Sequence, residues 1–151
     1  MKEVTPQEAY DLMTGDPKII YLDVRSVPEF EAGHAVRAIN IPLMHFTPGQ
    51  GMSPNDDFVR VVEANLPKDA HIVVGCKTGG RSARACDIMT QLGYGNVANV
   101  LGGFVGQSDN TGRMLQPGWS MLSLPQCTAC SDDARYDSLA KTTGKLHRTA
   151  E

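Results

Sequence analysis

The residues best suited to chemistry stand together in one short run, Cys76-Lys77-Thr78-Gly79-Gly80-Arg81-Ser82. An apolar stretch precedes the run, and a segment with apolar residues at helical spacing follows it. A thiol at the start of a helix faces unpaired backbone N–H groups, which favour the thiolate, the nucleophilic form. Lys77 and Arg81 add positive charge, and the two glycines let the backbone amides turn toward the sulfur. We therefore expect a reactive thiolate in a small electropositive cradle.

Two reactions suit such a cradle: attack on a phosphate-like oxyanion and attack on a sulfane sulfur. Four residues separate Cys76 from Arg81, one fewer than in cysteine phosphatases. The tighter loop favours a single sulfur atom over a tetrahedral oxyanion. This geometric argument leaves a cysteine phosphatase or an arsenate reductase as an alternative.

The segments around the run alternate between strand and helix patterns. Short apolar runs at 19–23, 38–41, 71–75 and 97–101 predict strands. Helices are predicted after Thr5-Pro6-Gln7-Glu8 (a capping box with proline at the first position), at 28–32, after 53–56 and from 83 onward. Residues 43–53 read as a loop. This alternation predicts an α/β fold with a parallel sheet, and Cys76 then lies at the carboxyl edge, where ligands bind.

Composition narrows the functional classes. The chain has 151 residues, enough for one domain, and its net charge of −3 argues against a nucleic-acid partner. No apolar run is long enough for a membrane helix, and the N-terminus lacks a secretory signal pattern. We therefore expect a cytoplasmic protein with no membrane partner.

The sequence changes character near residue 125. Residues 1–125 are predicted to form the domain, and residues 126–151 a polar C-terminal appendage, part of it disordered. The appendage carries Cys127-Thr128-Ala129-Cys130. A zinc site needs four ligands, so we predict no metal there. The two cysteines remain candidates for a sulfur relay from Cys76.

The loop from Cys76 to Ser82 resembles the active-site loop of single-domain rhodaneses, a family of sulfurtransferases. Further landmarks agree in order along the chain, and the likeness covers roughly residues 4–125. They are Asp23-Val24-Arg25, Glu29-Phe30, Gly33-His34, Ala38-Ile39-Asn40-Ile41-Pro42, Gly102-Gly103-Phe104 and Trp119.

The resemblance implies a rhodanese-like three-layer sandwich, in which helices cover both faces of a central five-stranded parallel sheet. It also implies that Cys76 takes the outer sulfur of thiosulfate or a persulfide donor and passes it to cyanide or a thiol, including a protein thiol. No cofactor is implied. The loop residues Lys77, Thr78, Gly79, Gly80, Arg81 and Ser82 would bind the substrate.

The resemblance assigns supporting roles to three residues before the loop. Glu29 is the expected acidic partner of Arg81, with Asp23 as the second candidate. Arg25 is expected to be mainly structural. A competing hypothesis is a non-catalytic binding or regulatory module, although such modules often lack the cysteine.

Overall fold

A computed structural model describes residues 2–128 and 131–142 of the chain. The strands are β1 (Lys2–Val4), β2 (Ile20–Asp23), β3 (His34–Ala35), β4 (Ile39–Asn40), β5 (Met44–Thr47), β6 (Gly51–Pro54), β7 (Ile72–Gly75), β8 (Val97–Val100), β9 (Gln107–Ser108), β10 (Met114–Gln116) and β11 (Gln126–Cys127). The helices are α1 (Pro6–Gly15), α2 (Val27–Ala32), α3 (Phe58–Asn65), α4 (Gly80–Gln91) and α5 (Tyr136–Ala140), with 3-10 turns at Trp119–Met121 and Asp132–Ala134.

A five-stranded parallel sheet in the order β1-β8-β7-β2-β4 forms the centre of the fold. Side chains alternate between its two faces, as strand geometry requires. Leu22 and Val74 lie in the core beneath α3 and α4, whereas Tyr21 and Val73 lie in the opposite core with α1 and α2. The predicted three-layer α/β sandwich is confirmed.

The first helix begins as its sequence indicates. The backbone N–H of Glu8 donates to Thr5 Oγ1 (3.1 Å), and the N–H of Thr5 donates to Glu8 Oε1 (2.8 Å). These reciprocal bonds satisfy two N–H groups that a helix start leaves without partners.

Residues 43–53 differ from the prediction of a loop, because β5 and β6 form an antiparallel hairpin there. Its strands are largely exposed and lack the alternation that marks a half-buried strand. Helix α3 also begins later than predicted, at Phe58. Asn55 explains the shift: its side chain accepts the N–H of Asp57 (3.0 Å) and donates to the carbonyl of Pro42 (2.9 Å), so it forms a turn and not a helix cap.

Parts of the predicted C-terminal appendage lie against the domain. Strand β11 pairs with β3, and α5 packs on α3 and beside the edge strand β4. The side chains of Tyr136 and Leu139 pack against the core beneath α3 and α4. The domain boundary near residue 125 stays a prediction.

Candidate active site

Cys76 lies at the carboxyl end of the central strand β7, immediately before the loop that leads into α4. Its side chain is only 2% exposed. Two donors reach its sulfur: the backbone N–H of Gly79 (3.1 Å) and the hydroxyl of Ser82 (3.3 Å). Gly79 is the N-cap of α4 at φ +123°, a conformation that favours glycine. The sulfur is therefore held in a polar environment at the start of a helix.

The segment after β8 supports the loop by backbone hydrogen bonds to its first two residues. The N–H of Phe104 donates to the Cys76 carbonyl (2.8 Å), and the N–H of Val105 donates to the Lys77 carbonyl (3.0 Å). Gly103, at φ +54°, passes so close that a Cβ on it would lie 2.4 Å from the Cys76 carbonyl oxygen. A side chain at this position would displace the loop.

Asn99 supports the loop, a role that sequence reasoning did not predict. It lies in β8 opposite Val74 of β7, and its side chain is buried. Asn99 Oδ1 lies 2.5 Å from Ser82 Oγ, and its Nδ2 donates to the carbonyl of Gly79 (3.4 Å). Asn99 thus contacts both residues that donate to the Cys76 sulfur.

Arg81 and Glu29 form an ion pair that joins α4 to α2. Two parallel hydrogen bonds link the guanidinium to the carboxylate, at 2.7 and 3.0 Å. Burial alone would raise the pKa of Glu29, but hydrogen bonds from Arg81 and Ser26 outweigh it and lower that pKa to about 2. The hydrogen bonds to Glu29 raise the pKa of Arg81. Of the two acids that the sequence proposed for Arg81, Glu29 is the one it contacts.

Asp23 and Arg25 pair with each other behind the loop. Arg25 Nη2 donates to Asp23 Oδ2 (2.8 Å) and to the carbonyl of Gly33 (2.7 Å), and both residues are buried. The guanidinium carbon lies 4.5 Å from the ring centroid of Phe104. Burial alone would lower the pKa of Arg25, but Asp23 raises it above its ordinary value. These contacts fit a structural role for the pair.

The remaining loop residues Lys77, Thr78 and Gly80 are exposed. Within the described ranges, no acid forms an ion pair with Lys77. Its charge therefore stays available at the mouth of the loop.

The other cysteines differ from Cys76 in their surroundings. Cys86 is fully buried in the core under α4, and that burial raises its pKa to about 12. Cys127 is disulfide-bonded and lies opposite His34 in the short β11–β3 ladder. Cys130 lies outside the described residues, so a sulfur relay through this pair stays a prediction.

Residues 2–128 and 131–142 hold neither a cluster suited to a metal ion nor a membrane-spanning helix. No group of three or more histidine, cysteine or acidic side chains in these ranges is arranged to hold a metal ion. No helix in the same ranges is long and apolar enough to cross a bilayer.

The chain is similar to known proteins of one family. The family model described as "Rhodanese-like domain" matches residues 5–109. "Thiosulfate sulfurtransferase 16, chloroplastic" from Arabidopsis thaliana is 38% identical over 102 residues, which cover 68% of this chain and 82% of that protein. "Thiosulfate sulfurtransferase 18" from the same organism is 41% identical over 93 residues, which cover 60% of this chain and 68% of that protein.

Some other curated relatives are longer, and this chain spans about half of their length. Among solved structures, Rv0390 from M. tuberculosis matches with a TM-score of 0.70 at 24% identity, covering 85% of this chain and 98% of that one. At this identity the match shows a shared fold.

Proposed function

Because the chain belongs to the rhodanese-like domain family, we propose that it is a sulfurtransferase that carries sulfur as a persulfide on Cys76. The donor is thiosulfate or a persulfide, and the acceptor is cyanide or a thiol, which can belong to a protein. One observation carries the proposal. The Cys76 sulfur lies at the start of α4, where the Gly79 N–H and the Ser82 hydroxyl both donate to it.

The proposed sulfur transfer needs no cofactor to supply or accept electrons. The Cys76 thiolate attacks the outer sulfur of thiosulfate, the S–S bond of the donor breaks, and sulfite leaves with the electron pair. The enzyme then holds Cys76–S–S⁻. A cyanide ion or an acceptor thiolate attacks the terminal sulfur, which regenerates the Cys76 thiolate. Thiocyanate or a new persulfide is released.

The loop residues divide into three roles in this mechanism. The amide of Gly79 and the hydroxyl of Ser82 stabilise negative charge on sulfur, as preorganised donors do in other active sites. Lys77 attracts the anionic donor. Arg81 fixes the loop, because both of its terminal nitrogens are bound to Glu29.

Mass spectrometry of the intact protein tests the proposal. After incubation with thiosulfate or an organic persulfide, the wild type should gain the mass of one sulfur atom on Cys76. The variant C76S should gain none there, and it should form thiocyanate from thiosulfate and cyanide only at the background rate. The matched control C86S should behave like the wild type, because Cys86 is buried in the core.

Two outcomes would contradict the proposal. Thiocyanate formation by the wild type no faster than by C76S would support the non-catalytic binding module. Absence of a sulfur adduct on Cys76 with every donor, together with turnover of a phosphate ester or of arsenate, would support the phosphatase or arsenate reductase alternative.

A further inference from the structure

A cavity of about 540 Å³ opens beside the catalytic loop. This volume lies in the range of small-molecule sites. One wall, from α2 and the loop, carries charged and hydrogen-bonding groups, and the β5–β6 hairpin contributes an apolar wall. Its lining residues are Ser26, Pro28, Glu29, Ala32, Phe46, Met52, Lys77 and Arg81.

The apolar wall is formed by the β5–β6 hairpin. Phe46 and Met52 are direct cross-strand partners, so their side chains share one face of the hairpin. They are 45% and 42% exposed. Single exposed apolar residues are common on protein surfaces, but here two adjacent ones line the same cavity as Lys77 and Arg81 of the loop. Water is therefore in contact with an apolar surface that a substrate could cover.

The hairpin is fixed to the domain at its base. The N–H of Leu43 donates to the Val24 carbonyl (3.0 Å), and the N–H of Asn55 donates to the Leu43 carbonyl (3.0 Å). The side chain of Asn55 also donates to the Pro42 carbonyl (2.9 Å). These bonds anchor the hairpin whose Phe46 and Met52 line the cavity together with Lys77 and Arg81, so the cavity is preformed.

The charged residues that line the cavity favour an anionic ligand. Glu29 and Arg81 neutralise each other through their paired hydrogen bonds. Lys77 has no acidic partner among the described residues, which leaves one positive charge at the mouth. An occupant that matches both walls carries a negative charge near Lys77 and an apolar group near Phe46 and Met52.

We propose that the sulfur donor is an organic sulfane compound, with an anionic sulfur group at the loop and an apolar substituent against Phe46 and Met52. Inorganic thiosulfate has no apolar part and leaves this wall exposed to water. The inference rests on the proposed function and narrows its donor class. For a thiosulfonate donor, R–SO₂–S⁻, the Cys76 thiolate attacks the terminal sulfur and the S–S bond breaks. The sulfinate R–SO₂⁻ leaves with the electron pair, and Cys76–S–S⁻ forms.

Three donors with the same reactive group test this donor class: thiosulfate, methanethiosulfonate and benzenethiosulfonate, with cyanide as the acceptor. We expect the wild type to prefer benzenethiosulfonate over methanethiosulfonate by roughly tenfold in kcat/KM, as apolar pockets discriminate groups of different size. In the double variant F46S/M52S this preference should fall at least about fivefold, because the wall no longer excludes water from the phenyl ring. Its kcat/KM for thiosulfate, which has no apolar part, should fall less than its kcat/KM for benzenethiosulfonate.

A matched control removes apolar surface elsewhere. Leu115 and Met121 are also exposed, at 58% and 50%, and neither lines this cavity. The double variant L115S/M121S should keep the wild-type preference.

The outcomes separate the two proposals. Sulfur transfer with no preference in the wild type, or a preference that survives in F46S/M52S, would overturn the inference and leave the sulfurtransferase standing. Loss of activity toward all three donors in F46S/M52S would overturn a role in selectivity. Failure of every donor to load Cys76 in the wild type would overturn both proposals.

Discussion

The Cys76 sulfur accepts a hydrogen bond from the Ser82 hydroxyl, which has only one proton to donate. Ser82 Oγ lies within hydrogen-bond distance of Asn99 Oδ1, the Gly79 carbonyl and the Cys76 sulfur, at 2.5, 3.2 and 3.3 Å. One proton can serve only one of these acceptors well at a time. Asn99 is the nearest of them and holds the Ser82 side chain beside the sulfur, so the hydroxyl can turn its proton to the sulfur when Cys76 carries negative charge.

The variant N99A should therefore slow sulfur transfer. We expect kcat/KM to fall roughly tenfold, equivalent to about 1.4 kcal/mol, because the Ser82 side chain loses its nearest contact and is no longer held beside the sulfur. S82A should cause a similar loss. The measurement is thiocyanate formation by N99A, S82A and the double variant.

The double variant distinguishes a shared role from two independent ones. If Asn99 acts through Ser82, the double variant should be about as slow as S82A alone. Losses that multiply in the double variant, or an N99A protein as active as the wild type, would show that Asn99 does not hold the Ser82 side chain in place.

At the scale of elements, contacts with neighbouring elements hold the loop from Cys76 to Ser82 in place. The Arg81–Glu29 pair joins α4 to α2, and the backbone after β8 closes the loop from the other side. Because the Glu29 side chain is only 28% exposed, this pair is less screened by solvent than an open surface pair.

The variant E29Q should lower the free energy of unfolding by about 1–2 kcal/mol at pH 7, because it leaves the Arg81 charge half-buried without its partner. The effect should depend on pH in a defined direction. The pKa of Glu29 is lowered to about 2 from 4.5, so its stabilisation is complete above about pH 4.5 and is lost as the pH falls through 2. Urea unfolding of wild type and E29Q at pH 7, 4.5 and 3 measures the free energy of unfolding of each. The difference between the two proteins should become smaller as the pH falls.

Glu31 on the same helix provides the control. It pairs with Arg135 at a more exposed position, so E31Q should cost less than about 1 kcal/mol. Equal costs for E29Q and E31Q, or a difference between wild type and E29Q that grows toward low pH, would refute the stabilising role assigned to the Arg81–Glu29 pair.

The sequence predicted those elements whose signals are local. The capping box at Thr5 and the apolar run of β7 gave their positions correctly because each depends on nearby residues. Strand β1 was missed, since Lys2–Val4 is a short, mostly exposed edge strand with no apolar pattern. The β5–β6 hairpin was missed for the same reason, although it carries the apolar wall of the cavity.

In the candidate site too, the sequence predicted the contiguous residues and not the contacts between distant ones. Cys76 and its loop are contiguous, so their spacing alone indicated their chemistry. Asn99 is remote in sequence and lies in an apolar strand, and only the pairing of β8 with β7 brings it beside the loop. No local pattern could have shown this contact.

At the scale of the whole molecule, the described part of the C-terminal segment covers the edge of the sheet. Strand β4 has one neighbour in the sheet, β2, and an open edge of this kind invites pairing with other chains. Helix α5 and the turn before it pack beside β4. Hydrogen bonds from the domain hold the helix in place: Asn65 Nδ2 donates to the Leu139 carbonyl (2.9 Å), Asn55 Nδ2 to Tyr136 Oη (3.1 Å), and Arg60 Nη1 to the Ala140 carbonyl (3.4 Å).

We therefore expect this segment to stabilise the domain without taking part in sulfur transfer. The variant L139A should lower the free energy of unfolding by about 1–2 kcal/mol, less than for a fully buried leucine because Leu139 is half-buried. The control L115A, at an exposed leucine, should change it by less than about 0.5 kcal/mol. Thiocyanate formation should be unchanged in both variants, since none of the described contacts of Leu139 involves the loop from Cys76 to Ser82. If L139A is as stable as the wild type, the segment does not cover the sheet edge in solution, and if L139A slows turnover at unchanged stability, the segment is coupled to the active site.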